Sequence, residues 1–167
     1  MRAVVQRVRG ASVSVDGREV ARIGRGLLVL VGIGRNDSSA DLAWMAKKLV
    51  ELRVFDDAEG RMNLGLREAG GQLLLVSQFT LYGDCRKGRR PSYSDAAPPE
   101  QAERLYRDFL VRVRELVPDA QSGLFQAMMD VSLVNWGPVT LILESPSERA
   151  PAGPARGSGE RPQTTRA

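Results

Sequence analysis

The chain has 167 residues, 43% of them apolar and 26% charged, enough for one domain with a hydrophobic core and no disulfide or metal staple. Histidine is absent and cysteine occurs once, which excludes Ser-His-Asp and Cys-His catalysis, His-based zinc sites and an internal disulfide framework. The formal charge of +4 permits a polyanionic partner without identifying one, because half of it falls in the last residues, where Arg149, Arg156, Arg161 and Arg166 face Glu148 and Glu160. No apolar run reaches the roughly 18 residues of a membrane span. The N-terminus has no unbroken apolar core of a signal peptide. A cytoplasmic protein that contacts no membrane is expected.

Along the chain, residues 3–15 alternate apolar and polar and are rich in valine, a strand pattern. Asp16-Gly17 offers a hairpin turn, and Val20–Ile23 the return strand. Gly26–Gly32 is continuously apolar, which predicts a strand buried on both faces. Asn36-Asp37-Ser38-Ser39 with Asp41 predicts a helix start. Leu42, Met45, Ala46, Leu49 and Val50 carry its apolar stripe to about residue 52. Extended structure resumes at Arg53-Val54-Phe55 and turns at 56–60. Leu73–Leu81 predicts a second core strand, and residues 83–97 a charged loop. Pro98-Pro99-Glu100 opens a second helix, with Ala102, Leu105, Tyr106, Phe109, Val113 and Leu116 as its buried face. Two strands, about 124–134 and 139–143, complete the pattern. Residues 145–167 are dominated by Pro, Gly, Ser, Thr and Arg and predict a disordered tail. The fold expected for 1–144 is α+β, a largely antiparallel sheet with a barrel-like core and two amphipathic helices.

Without histidine, chemistry falls to carboxylates, hydroxyls, backbone amides or the substrate. Gly32-Ile33-Gly34-Arg35-Asn36-Asp37 lies where a dinucleotide fingerprint would, but lacks the third glycine and reads as a strand-to-helix turn. Cys85 stands near Arg86 and Lys87, yet no histidine is present to act as its base. At Ser77-Gln78-Phe79-Thr80-Leu81 an aliphatic strand turns polar, which fits either a fraying end or a site built at a sheet edge. In Asn135-Trp136-Gly137-Pro138-Val139-Thr140, the glycine removes a side chain that would crowd a ligand approaching the carbonyls. A plain Gly-Pro turn fits the same letters.

Taken together, these two segments resemble the Ser-Gln-x-Thr and Asn-x-Gly-Pro-x-Thr motifs of the D-aminoacyl-tRNA deacylase (D-tyrosyl-tRNA deacylase) family. The similarity runs colinearly over about residues 1–144, through Gln6-Arg7-Val8, Gly26–Leu30, Arg53-Val54-Phe55, Gly60–Asn63, Arg90–Tyr93 and Val131–Asn135. Trp136 stands where members often carry a small or acidic residue.

The resemblance implies a homodimer that hydrolyses the ester of D-aminoacyl-tRNA, and of mischarged glycyl-tRNA, at the tRNA 3′ end, with no cofactor and no metal. It implies that Ser77, Gln78, Phe79 and Thr80 form the catalytic segment. The amides of Phe79 and Thr80 are oxyanion donors in this reading. The resemblance leaves Thr80 as either a nucleophile or a positioning residue, and with no visible base in the sequence to activate it the positioning role is expected. Gly137 and Pro138, as a Gly-cis-Pro dipeptide entering the other subunit's site, would exclude an L side chain. Arg7, Asn135 and Thr140 are supporting residues; for Arg7 an exposed strand charge is the other reading. Arg86, Lys87, Arg89 and Arg90, the densest basic cluster, are expected to hold tRNA phosphates, with a solvated loop as the alternative.

Overall fold

The computed structural model describes residues 1–146; the expected tail from 147 onward lies outside the described residues. Strand β1 (Arg2–Val15) is the spine of a mixed sheet. Asp16 and Gly17 both take positive φ, 50° and 74°, and so turn the chain back into β2 (Arg18–Ile23), as the Asp-Gly pair predicts. One edge of β1 carries β3 (Gly26–Gly32) along its first half and β2 along its second. The other edge carries β8 (Asp130–Glu144) along its whole length, antiparallel. Beyond β3 the ladder becomes parallel, with β6 (Gln72–Ser77) and then the short β7 (Gln121–Ser122). Because β2 also approaches β6 and β7, the sheet curls into a barrel-like form.

Two cores follow from this curl. Inside it lie Val8, Val13, Ile23, Leu28, Leu74 and Val76. Outside it, the opposite faces of β1, β3 and β6 pack under helices α1 (Ser39–Glu51) and α2 (Pro99–Leu116). β3 is therefore covered on both faces, which is why its sequence is apolar without alternation. Helix α1 opens with a capping box: the Asp41 carboxylate accepts from Ser38 N at 2.9 Å and from Ser38 Oγ at 2.7 Å. Helix α2 has Pro99 at its first position and buries Leu105, Tyr106, Phe109 and Val113, four members of the predicted stripe. A small hairpin, β4 (Phe55–Asp56) with β5 (Met62–Leu64), follows α1.

Three expectations differ in detail. The strand predicted to run to Leu81 stops at Ser77, and Phe79–Tyr82 form a 3-10 turn. The strands expected at 124–134 and 139–143 are one continuous strand, β8, while 124–129 is loop; Gln126 takes φ 61° there, which a strand residue does not. Ser145, placed in the tail by composition, is fully buried, and its Oγ accepts from the Met1 ammonium at 2.8 Å. No described helix is long and apolar enough to cross a membrane.

Candidate active site

The polar end of β6 opens on a cavity of about 780 Å³. Gln78 N still donates to Val31 O at 2.7 Å, so the parallel ladder holds the chain up to that point. At Gln78 the backbone leaves the strand region (φ −145°, ψ 81°) and enters the 3-10 turn. The first amides of a helical turn have no carbonyl one turn back to bond. In this turn those amides belong to Phe79 and Thr80, while Leu81 N and Gly83 N donate back to Gln78 O and Thr80 O. Gln78 Nε2 donates to Thr80 Oγ1 and fixes that hydroxyl as an acceptor. Phe79 is exposed and meets the Tyr93 ring edge-on, with centroids 5.0 Å apart.

Ser77, Gln78 and Phe79 floor the cavity; Ala96–Pro99 at the start of α2 form one wall, and Phe125–Met129 another. The lining is mostly apolar with a few polar groups, the usual makeup of a small-molecule site. Tyr106 also lines it, with its hydroxyl donating to Leu75 O at 3.2 Å. Burial pushes the Tyr106 phenol well above its ordinary value, so it stays a protonated donor and is no base. Among the described residues no cluster of His, Cys, Asp or Glu could hold a metal ion.

Gly137 and Pro138 are exposed, joined by a cis peptide bond, and sit where β8 bulges away from β1. Asn135 brackets this bend from inside. Its Oδ1 accepts from Val139 N at 2.9 Å, and its Nδ2 donates to Thr140 Oγ1 at 3.0 Å. Arg7 is 5% exposed, which rules out the exposed-charge reading. Its Nε donates to Trp136 O at 3.0 Å, and one terminal nitrogen donates to Val54 O at 2.6 Å and to Asp56 Oδ1 at 3.2 Å. A side chain at position 137 would have no room: a Cβ there would lie 2.7 Å from Val139 Cγ2 and 3.1 Å from the Arg7 guanidinium, with φ at 137°.

One chain does not bring its two motifs together. Ser77 pairs with Val31 and thence with Ala3, whereas the Gly137 bend lies across β1 at Arg7, the partner of Leu27. Four residues along the strands and three strands across give a separation on the order of 20 Å along the sheet. The 13-residue helix α1 agrees, since it runs roughly 20 Å from the Arg35 side of the cavity to Val54 beside Arg7.

The basic loop is less free than its composition suggests. Arg86 clamps Asp84 through two side-chain bonds, at 2.9 and 2.7 Å, and its guanidinium holds the Asp84 carboxyl down at about 2. At neutral pH Arg86 is thus paired with the ionised Asp84, and Lys87, Arg89 and Arg90 remain as the exposed unpaired positive charges of the cluster among the described residues.

A family model described as D-Tyr-tRNA(Tyr) deacylase matches residues 4–144. The chain belongs to this family. It is 60% identical over 145 residues to a D-aminoacyl-tRNA deacylase of Desulfatibacillum aliphaticivorans, covering 87% of this chain and 99% of the relative. A D-aminoacyl-tRNA deacylase of Myxococcus xanthus is 57% identical over 92% of this chain and all of its own length. The solved structure of a c-Myc DNA unwinding element binding protein superposes with a TM-score of 0.83 at 43% identity, covering 87% of this chain and 99% of that one. Membership in this family makes the chain a hydrolase of the D-aminoacyl-tRNA deacylase class. Several cavity residues were not singled out as site residues by the sequence. Arg35, Tyr93, Phe125 and Met129 come from three separate loops, and only the fold makes them neighbours.

Proposed function

We propose that the chain hydrolyses the ester of D-aminoacyl-tRNA, and of mischarged glycyl-tRNA, in a site shared between two copies of itself. The aminoacyl end enters the cavity over Ser77–Phe79, and the amides of Phe79 and Thr80 stabilise the oxyanion as the ester carbonyl is attacked. An aminoacyl ester is already activated, so amide donors and the neighbouring ribose hydroxyl suffice without a protein nucleophile. Thr80 positions the turn. Gly137 and Pro138 of the second copy place main-chain carbonyls beside the substrate α-carbon. An L side chain would be driven into them, a D side chain points away, and glycine, having none, passes.

The observation that carries this reading is the separation of the two motifs. Both segments reach the surface, at Phe79–Thr80 and at Gly137–Pro138, both match the family's pattern, and they lie on the order of 20 Å apart in one chain. A second copy is the simplest way to unite them. One apolar residue of β8 supports the same arrangement, since Ile142 is 74% exposed. Phosphates of the tRNA would be held by Lys87, Arg89 and Arg90, with Arg86 contributing less because of Asp84.

The decisive experiment follows ester loss from matched D-tyrosyl-, L-tyrosyl- and glycyl-tRNA. The D and glycyl esters are expected to be hydrolysed and the L ester spared. Hydrolysis of D and L alike would sink the carbonyl filter, and hydrolysis of neither would reduce the chain to an RNA-binding module.

A further inference from the structure

Three guanidiniums converge on one indole at the β8 bend. Cζ of Arg7 lies 4.6 Å from the centroid of the Trp136 ring, that of Arg25 5.0 Å and that of Arg9 5.1 Å. Arg7 is committed to Trp136 O, Val54 O and Asp56. Arg9 and Arg25 are different: both are exposed, and neither side chain has a hydrogen bond or an ion pair among the described residues. A ring contact holds a guanidinium electrostatically without using up its five N–H donors. Two sets of donors are therefore fixed in place with nothing to bind.

Their backbones are well anchored. Arg9 sits where the β1–β8 pairing slips, between Val8 opposite Asn135 and Gly10 opposite Val134. Such a bulge re-aims side chains. Arg25 precedes Gly26, where a Cβ would fall 1.9 Å from Gln72 O, and its own carbonyl accepts from Gln72 N at 3.0 Å. With both Cζ atoms within about 5 Å of one centroid, the two charges are no more than about 10 Å apart. That is close to one screening length at physiological salt, so they act on an anion together.

We propose that Arg9 and Arg25, held on Trp136, form a phosphodiester-binding clamp for the acceptor strand of tRNA. It rests on the reading that the chain acts on aminoacyl-tRNA. The clamp adjoins Gly137, so the subunit that lends its bend to a neighbour's cavity also grips the tRNA entering there. An RNA strand fits better than a free anion, because each guanidinium can take its own phosphate of a strand, which one small anion cannot supply.

The test measures binding of uncharged, fluorescently labelled tRNA to the full chain over a range of salt. Each phosphate contact adds about 0.7–0.9 to the slope of log K against log salt. The double variant Arg9→Ala/Arg25→Ala is expected to lose about 1.4–1.8 from that slope. Arg9→Lys/Arg25→Lys, which keeps the charges, is expected to restore most of it. A slope unchanged in the alanine variant, or not recovered by the lysines, overturns the clamp. Circular dichroism of each variant establishes that it is folded. Since the tRNA carries no ester, failed deacylation would overturn the proposed activity and leave this measurement standing.

Discussion

Thr80 is the residue on which the chemical reading turns. Its hydroxyl accepts a hydrogen bond from Gln78, and the residues lining the adjacent cavity include no carboxylate and no lysine to take a proton from it. In the proposed mechanism Phe79 acts instead through its amide. Phe79 is the first residue of the 3-10 turn, a position where proline's fixed φ and missing N–H are tolerated. Phe79→Pro is therefore expected to fold yet lose about 10²–10³ in single-turnover deacylation of D-tyrosyl-tRNA. Phe79→Ala, which keeps the amide, separates that loss from loss of the ring. Thr80→Ala is expected to stay within about tenfold of the parent rate; a dead but folded variant would restore the nucleophile. At this scale the sequence revealed the two motifs because each is contiguous. It could not reveal the gathering of Arg7, Arg9 and Arg25 on Trp136, because strand register and one bulge bring those residues together.

Elements were legible where local chemistry settles them. Helix α1 is announced by Ser38 and Asp41, helix α2 by Pro99, and both by stripes at helical spacing. Strand ends were not. β6 stops at Ser77 because the ladder partner β3 ends at Gly32 and the chain must turn over the cavity, a tertiary cause. β8 reads as two strands because Gly137-Pro138 looks like a break, whereas the Asn135 and Arg7 side chains hold the chain in line across it. That brace has a measurable strength. Arg7→Met keeps the bulk but leaves Val54 O and Trp136 O without their donor. Each buried group left unpaired costs about 1–3 kcal/mol. Urea unfolding is expected to show a loss of about 3 kcal/mol, accompanied by weaker rejection of L-tyrosyl-tRNA. A loss below about 1 kcal/mol with L rejection intact would mean the bend holds itself.

At the scale of the whole molecule, the sheet keeps the Phe79–Tyr82 turn and the Gly137 bend four residues and three strands apart, and in the proposed reading a neighbour completes the site. That arrangement makes a prediction no single-chain site shares. Phe79→Pro damages the cavity end, and Gly137→Ala forces a Cβ into Val139 and the Arg7 guanidinium; each homodimer is expected to be nearly inactive. In a heterodimer of the two, one site combines both lesions and the other combines the intact cavity of one subunit with the intact bend of its partner. Purified heterodimer, isolated through two different tags, is then expected to regain about half the parent activity on D-tyrosyl-tRNA. If each site were built within one chain, both sites of the heterodimer would still carry a lesion, and mixing would recover nothing. Sedimentation of the unmodified chain supplies the companion measurement. Ile142 on β8 should be covered in a dimer, and Ile142→Lys is expected to shift the chain toward monomer and abolish deacylation with it.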